Sequence, residues 1–545
     1  MKIAIAQINY HIGNFEGNFS KMKEAITKAR GEGADLVCFS ELATTGYPPR
    51  DFLEFRDFVE LSNRLIDRLK DLSGDLGIIL GAPTINPVIE GKDLFNSVYL
   101  IHEKEVKYVQ HKALLPTYDI FDEYRYFEPG RGFGVVEFKG KKIALTVCED
   151  IWNVGNENPL YTISPLDEII GLKPDFVVNV SASPFSYKQS QQRIEVVKAN
   201  VDRYKIPFFY INHCGAQTEL LFDGGSLVVN QRGVVVDEMP YFEECFRCYD
   251  LEEVVATDVS NEQDKSKMDL IHRGIVMGIR DYFGKLGLKT AVLGLSGGID
   301  SAVTCALAAE ALGPENVRVA LMPSKYSSDH SVDDARQLAE NLGVQYDIIS
   351  IRDPYEAFLN SMKPVFLGRK FDVTEENIQA RIRGTIVMAI SNKFGAILLN
   401  TSNKSEAAVG YGTLYGDMAG GLSVIGDVYK TEVYELARYI NRNKEVIPEN
   451  SIIKPPSAEL RPDQKDSDSL PEYEILDEIL YQYIEEVKSP QDIIADGYDA
   501  ELVARILKLV NTNEFKRFQA PPVIRVSPKA FGMGRRMPIV GKYLS

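Results

Sequence analysis

The nine residues LGLSGGIDS, Leu293 to Ser301, constrain this chain more than any other stretch. They end the apolar run Thr290-Ala291-Val292-Leu293, which reads as a short buried strand, and they lead into the Ala-rich segment Ser301 to Leu312, which opens as a helix. A strand, a glycine turn and a helix in that order leave little freedom of fold. The pair Gly297-Gly298 lets backbone N–H groups approach a ligand with no Cβ in the way, and the following helix aims its unpaired N–H groups and positive dipole end at the same place. Ser296 and Ser301 add hydroxyl donors, and the Asp300 carboxylate suits a cation that offsets phosphate charge. The stretch predicts a phosphate cradle; its bland alternative is a turn that needs glycine for steric reasons alone.

The cradle lacks the lysine of G-x-x-x-x-G-K-[ST] and the third glycine of G-x-G-x-x-G, so neither the Walker nor the dinucleotide fingerprint applies. The hexapeptide Ser296 to Ser301 resembles instead the PP-loop of ATP pyrophosphatases. That resemblance implies cleavage of ATP between its α and β phosphates and adenylation of a substrate oxygen.

With 545 residues and about 150 per domain, two to four domains are expected. A net charge of −17 argues against a broad nucleic-acid surface, so anionic ligands must be met by local cations and helix ends. The start, Met1 to Gln7, reads as a strand, and no apolar run approaches membrane-spanning length, so a cytoplasmic protein without nucleic-acid or membrane partners is expected. Six cysteines make no disulfide framework, and the single Cys245-x-x-Cys248 has no second pair to complete a zinc site.

From Lys2 to about Asp237 short β-branched runs alternate with amphipathic helices, which predicts an α/β domain with buried sheets. Strands are expected near 3–8, 36–39, 77–80, 97–101, 143–147, 176–180, 208–211 and 226–229, with helices near 19–29, 52–69 and 189–204. Reactive residues cluster where strands end: Ser40-Glu41 after Leu36 to Phe39, Lys112 after the 97–110 hairpin, Cys148-Glu149-Asp150 after Ile143 to Val147. A thiolate attacks an amide carbon, a carboxylate relays the thiol proton to the leaving amine, and an ammonium stabilises the oxyanion and favours the thiolate. Taken singly, Cys148 is a buried strand-end thiol and Glu41 and Lys112 are solvated charges.

Their flanks narrow the choice. FSELATTGYPP (39–49), HKALLPTYDIFDEYRYFEPG (111–130) and TVCEDIW (146–152) closely resemble the nitrilase, or carbon-nitrogen hydrolase, superfamily with its Glu-Lys-Cys order. The resemblance implies a four-layer αββα sandwich with Glu41 as general base, Lys112 as oxyanion lysine and Cys148 as nucleophile, and with the N–H of Glu149 completing the oxyanion hole. Tyr118 and Ser183 match positions that hold glutamine in the glutaminase branch. Six residues after that serine, where the branch places a basic residue, stands Gln189, preceded by Lys188. Both stay candidates for the α-carboxylate contact.

The polar, aperiodic segment from Asp250 to Lys267 reads as a linker or surface excursion, which places domains at 1–260 and 261–545. Beyond it, strands near 290–293, 317–322, 346–351 and 396–400 alternate with helices near 272–283, 332–341 and 377–394, predicting a doubly wound parallel sheet with ligands beyond the carboxyl ends of the strands. The glycine-rich 410–417 reads as a loop over a ligand.

The strand-end text Thr401 to Glu406, EENIQARIRG (375–384), DVYKT (427–431), PPSAELRPDQ (455–464) and FKRFQAPP (515–522) closely resembles the NAD synthetase family, and with the nitrilase-like half nearly the whole chain is similar to its glutamine-dependent bacterial branch. The resemblance implies that Gly294, Leu295, Ser296, Gly297, Gly298, Ile299, Asp300 and Ser301 wrap the ATP phosphates and that Thr401 and Lys430 also contact ATP. It implies further that Asp300 and Glu406 bind Mg2+, and that Asn377, Glu406, Lys516 and Arg517 contact deamido-NAD. Arg381 and Arg383 read equally as a solvated helix face or as phosphate ligands. Leu414 stands where ammonia-dependent relatives carry a lysine. The family also implies a homo-oligomer, a dimer through the second domain that can belong to a larger assembly. Two rivals stay open from sequence: another PP-loop amidotransferase with a nucleotide or transfer-RNA acceptor, and a nucleotide-sensing scaffold with relic sites.

Overall fold

A computed structural model describes residues 1–457, 459–462 and 464–544, with only the backbone described at Asp329. The chain forms two compact units, Met1–Lys265 and Ser266–Ser545.

In the first unit one six-stranded sheet runs in the order Cys245–Asp250, Lys2–Gln7, Leu36–Cys38, Gly77–Ile85, Leu94–His102, Glu105–His111. A second runs Val235–Glu238, Leu227–Val229, Phe208–Asn212, Phe176–Ser181, Lys141–Val147, Val135–Phe138. Period-2 alternation decides which side chains meet. Ile3, Ile5, Leu36, Cys38 and Ile79 of the first sheet share one core with Ile143, Leu145, Val178, Val180 and Ile211 of the second. Their strand neighbours Ala4, Ala6, Val37, Ile78 and Leu80 turn outward onto Met22, Ile26, Leu65 and Leu69 of the helices Phe15–Gly31 and Arg56–Ser73. On the far side Ala144, Val177 and Tyr210 meet Leu166, Ile194, Val197 and Val201 of the helices Pro165–Ile170 and Gln189–Tyr204. Helix, sheet, sheet, helix is the expected αββα sandwich.

Three local readings change. The helix expected over 52–69 is broken at Phe55, whose extended backbone (ψ 120°) separates a 3-10 turn, Arg50–Glu54, from the helix Arg56–Ser73. The edge strand Cys245–Asp250 went unread because its residues are half-buried or exposed, with Arg247 paired to Asp237, and so leave no apolar run. Its two cysteines face opposite sides of the sheet, Cys245 toward the inter-sheet core and Cys248 toward the helices, so they cannot ligate one metal. The supposed linker is also more ordered than expected: Asp250 caps a helix, Leu251–Ala256, and the stretch after it is pinned along Val235–Glu238 by Asn261, Gln263 and Lys265.

The second unit holds a five-stranded sheet in the order Gln345–Ile348, Val317–Leu321, Ala291–Gly294, Ile397–Asn400, Leu422–Ser423, every pair parallel. Its strand order turns at Ala291–Gly294, so the first βα turn opens at the topological switch point, where doubly wound sheets bind ligands. The helix Ile299–Leu312 is buried nearly all round, and Val387 of the helix Val373–Phe394 packs on Val292, Ala320 and Leu398. A separate helical cluster joins Tyr473–Ile484, Pro490–Ala495 and Ala500–Thr512 to the short helix Lys404–Val409.

Candidate active sites

In the first unit the three reactive residues sit at the ends of strands and are withdrawn from solvent, with Glu41 0%, Lys112 1% and Cys148 5% exposed. The Lys112 ammonium donates to Glu41 Oε1 at 2.8 Å and to both oxygens of a second carboxylate, Glu123, at 2.8 Å each. Glu41 also accepts from Asn96 Nδ2 at 2.7 Å and from the N–H of Ala182 at 2.9 Å, while Glu123 accepts from the Tyr47 hydroxyl at 2.8 Å. Close packing makes this possible: a Cβ at Gly81 would stand 2.4 Å from the backbone nitrogen of Leu42.

The charges set the resting state. Burial disfavours the Lys112 charge, yet Glu123 and Glu41 together hold it well above the usual lysine range. Burial pushes Glu123 up to about 7, with Lys112 pulling the other way. Burial and then the Glu41 charge push the Cys148 thiol well above its ordinary value, more strongly than Lys112 draws it down. The expected bias toward thiolate is therefore outweighed, because a dry pocket with two carboxylates opposes a third negative charge. The thiol rests protonated and needs a base at the moment of attack.

Cys148 follows an extended residue, Val147, and adopts a left-handed backbone with φ 42°, a strained placement at the start of the 3-10 turn Cys148–Ile151. Asp150 in that turn accepts from the N–H groups of Ala113 and Leu114 at 2.9 Å and of Val147 at 3.0 Å, tying the lysine segment to the cysteine turn.

Of the residues expected to hold glutamine, Glu149 is buried with hydroxyl partners, accepting from Tyr118 at 3.1 and 3.2 Å and from Tyr161 at 2.6 Å. The N–H of Ser183 donates to Asn212 Oδ1 at 2.9 Å, and Gln189 Nε2 reaches Ser183 Oγ at 3.4 Å. Lys188 is exposed, its ammonium 6.0 Å from the Tyr187 ring centroid. The structure thus brings Gln189 to the serine. Sequence reasoning missed Glu123, Asn96, Tyr47 and Tyr161; Glu123 lies within the segment 111–130, eleven residues after the lysine.

In the second unit the expected turn lines a cavity of about 320 Å3 with Gly294, Leu295, Ser296, Gly298, Ile299, Asp300, Ser301, Thr401, Glu406 and Lys430. Gly297 has φ +82°, and a Cβ there would lie 2.2 Å from the Ser331 carbonyl oxygen, so glycine is required. Ser296 and Ser301 hydroxyls lie 3.1 Å apart, and the Ser296 hydroxyl accepts the Gly298 N–H at 3.2 Å, which shapes the turn before any ligand arrives.

Lys430 forms an ion pair with Asp300, whose other oxygen accepts from Asn403 Nδ2 at 3.0 Å. Asn403 in turn caps the helix that carries Glu406, its side chain accepting the Glu406 N–H at 2.9 Å. Burial, then the charge of Asp300, raises Glu406 well above the carboxylate range. A third carboxylate, Asp466, accepts from Tyr473 at 2.9 Å and Tyr411 at 3.2 Å.

Asn377, Arg381, Lys516 and Arg517 lie outside that lining. Asn377 accepts from the Thr413 hydroxyl at 2.7 Å, and Lys516 bridges the carbonyls of Gly410 and Gly412 at 2.7 and 2.8 Å, fastening the glycine-rich loop. Arg517 is buried and donates to the carbonyls of Ala407 and Ala408 and to Glu514, bracing the end of the helix Lys404–Val409. Arg381 is exposed and donates to the Leu414 carbonyl at 3.2 Å, whereas Arg383 lines the cavity. Of the segment 455–464, Ala458 and Asp463 lie outside the described residues.

A thiol hydrolase on an αββα sandwich and a phosphate-cradling doubly wound unit, joined in one chain, define an amidotransferase-type carbon-nitrogen ligase. The carbon-nitrogen hydrolase family matches residues 2–258 and the NAD synthase family residues 271–520. Glutamine-dependent NAD(+) synthetases of Synechocystis and Thermotoga maritima are 44% and 40% identical, covering 98% and 100% of this chain and 98% and 99% of their own lengths. The solved glutamine-dependent NAD+ synthetase of Acinetobacter baumannii, in complex with ADP, superposes with a TM-score of 0.79 at 38% identity over 99% of this chain and 98% of that one. The chain belongs to the glutamine-dependent NAD(+) synthetase family.

Proposed function

We propose that this chain takes ammonia from glutamine at Cys148 and installs it on deamido-NAD activated by ATP at the Ser296–Ser301 turn. The observation that carries the first half is the buried set of Glu41, Lys112 and Glu123 around a protonated thiol. Glu41 takes the Cys148 proton as the sulfur attacks the amide carbon. Lys112 and the N–H of Glu149 stabilise the oxyanion. On collapse the carbon–nitrogen bond breaks, the proton passes from Glu41 to the departing ammonia, and a thioester remains. Water, deprotonated by Glu41, then cleaves it to glutamate and the free thiol. The buried Glu149 carboxylate, with Tyr118, Ser183 and Gln189, holds the amino acid ends of glutamine, and the exposed Lys188 contributes least.

In the second unit an oxygen of the nicotinate carboxylate attacks the α-phosphorus of ATP, and the bond to pyrophosphate breaks with its electron pair on the leaving group. Ammonia then adds to the acyl carbon and AMP leaves. The turn Gly294 to Ser301, Thr401 and Lys430 hold ATP; Asn377, Glu406 and Lys516 hold deamido-NAD, with Arg517 acting through the helix it braces. Asp300 and Glu406 fit a hard divalent cation such as Mg2+, since burial and then the Asp300 charge hold Glu406 well above the carboxylate range and a cation in the same cavity relieves it. Among the described residues no three carboxylate, His or Cys side chains gather to hold a metal alone, in keeping with an ion shared with substrate phosphates. Such an ion supplies charge neutralisation to the phosphates.

Exposed Phe358, Val365, Met388 and Phe394 on the helices Arg352–Phe366 and Val373–Phe394 support a homodimer through this unit. No described helix is long and apolar enough to cross a membrane, in keeping with a cytoplasmic site of action.

The test is a coupled assay with ATP, Mg2+ and deamido-NAD, following NAD, AMP and pyrophosphate, with glutamine or ammonium as nitrogen source. Cys148→Ala should lose glutamine-dependent synthesis and keep ammonia-dependent synthesis; Asp300→Ala should lose both. Glutamine-driven NAD formation by the cysteine variant would overturn the assignment.

A further inference from the structure

The cavity at the glycine turn is lined by a cation that forms no ion pair among the described residues. Arg383 lies on the helix Val373–Phe394 and lines the same cavity as Ser296, Asp300 and Lys430. Its Nε donates to the carbonyl of Met322 at 3.1 Å, which fixes the plane of the guanidinium and leaves its two terminal nitrogens for another partner. Met322 follows the strand Val317–Leu321, the direct neighbour of Ala291–Gly294, and a Cβ at Gly294 would stand 3.1 Å from the Met322 methyl. The guanidinium is therefore anchored at the carboxyl end of the two central strands, beside the turn.

The nearest carboxylates have other partners. Glu459 accepts from the hydroxyls of Ser328 at 3.0 Å and Ser331 at 2.7 Å, and Asp417 accepts the Thr413 N–H at 2.6 Å. Among the described residues neither forms an ion pair with Arg383. Burial draws the guanidinium down to about 10, with Glu459 and Asp417 offsetting only part of that penalty. The fully buried Arg193 has a bidentate carboxylate at 2.8 and 2.9 Å, whereas the half-buried Arg383 has no carboxylate partner among the described residues. A half-buried charge with no carboxylate partner among the described residues keeps part of its desolvation cost, and a planar fork of donors lining the cavity matches a phosphoryl group.

We infer that Arg383 is a substrate-contacting residue whose guanidinium forms a two-pronged hydrogen bond with a phosphoryl group of ATP, from the helix Val373–Phe394 rather than from the glycine turn. The inference rests on the ATP-binding reading above and adds a residue to it. Arg381, two positions earlier, has no such part, because it is exposed and turned to the Leu414 carbonyl.

The experiment compares the full-length chain with Arg383→Lys, Arg383→Met and Arg381→Met, measuring binding of ATP, adenosine and deamido-NAD separately by calorimetry, with thermal unfolding as a check on folding. Loss of a charge-assisted pair should weaken ATP by about 10- to 100-fold in Arg383→Met, with adenosine within about twofold, and Arg383→Lys should recover part of the loss. Arg381→Met should bind ATP as the unsubstituted chain does. Equal losses for ATP and adenosine would show that the guanidinium only props the Met322 carbonyl, and a loss confined to deamido-NAD would move the contact to the other substrate; either result overturns the proposal. If Arg383→Met does not fold, Arg383→Lys decides alone, since it keeps the charge and loses the fork. Failure of the parent reading has a different signature: the unsubstituted chain would bind no ATP.

Discussion

The Lys112 ammonium stands 2.8 Å from the Glu41 carboxylate, and neither reaches solvent. The charge of the same carboxylate, after burial, pushes the Cys148 thiol up, and the proposed mechanism makes it the base for that thiol. Glu41→Gln preserves the shape and the hydrogen bond from Asn96 but cannot take a proton. Glutamine-dependent NAD synthesis should fall by about 10²- to 10⁴-fold, with ammonia-dependent synthesis unchanged. A glutamine-dependent rate within threefold of the unsubstituted enzyme would show that another group removes the thiol proton.

Glu123 competes for the same ammonium and is pushed up by burial from 4.5 to about 7. A carboxyl whose folded-state value lies above its unfolded one binds its proton more tightly when folded. Its contribution to stability is complete below about 4.5 and is lost as pH rises through about 7, amounting to about 3 kcal/mol at most. Glu123→Gln cannot titrate. The stability of the first unit to denaturant should therefore fall less steeply between about pH 4.5 and 7 in the variant than in the unsubstituted chain. Parallel stability curves would show that Glu123 stays ionised throughout.

Gln189 Nε2 lies 3.4 Å from Ser183 Oγ, while the adjacent Lys188 is exposed. Gln189→Arg should bring a guanidinium to the α-carboxylate of glutamine and lower its KM by about 3- to 10-fold with kcat little changed, the yield of one charge-assisted hydrogen bond. Lys188→Ala should leave both constants alone. The opposite ranking, a large effect at 188 and none at 189, would transfer the carboxylate contact to the lysine.

Glu41, Lys112 and Cys148 were legible because each follows a strand and stands in flanking text that resembles the nitrilase superfamily; the strand ends alone offered them only as candidates. Glu123 was not. It lies in the irregular stretch 112–134, where no repeat says which of Asp119, Asp122 and Glu123 turns inward; that choice is made by the Tyr47 hydroxyl, 76 residues away. The same limit hid the split between Arg381 and Arg383. Two positions apart on one helix, they point to different sides, but the sequence does not say which side meets the cavity; the structure puts Arg381 beside Leu414 and Arg383 beside Met322. The turn at Ser296–Ser301 needed no such help, because Gly297 meets the Ser331 carbonyl whatever the ligand.

Lys404 is the only basic residue in the strand-end text Thr401 to Glu406, the place where a lysine is most easily taken for a phosphate ligand. Its ammonium turns the other way. It pairs with Asp427 at 3.0 Å and Glu485 at 2.7 Å and donates to Ser527 Oγ at 2.8 Å and the Lys529 carbonyl at 2.9 Å, all without solvent. Asp427 also accepts the N–H groups of Val526 and Ser527 at 2.8 and 2.7 Å, so one lysine joins the helix that carries Glu406 to the closing segment of the chain. Lys404→Met would leave two buried carboxylates uncompensated, at a cost of about 3 to 5 kcal/mol to the second unit. Urea unfolding should show that loss, while the fraction that remains folded should keep the KM for ATP, since the ammonium touches no ligand. Stability intact with a raised KM would mean that the lysine reaches the nucleotide after all, and that the buried network rearranges when ATP binds.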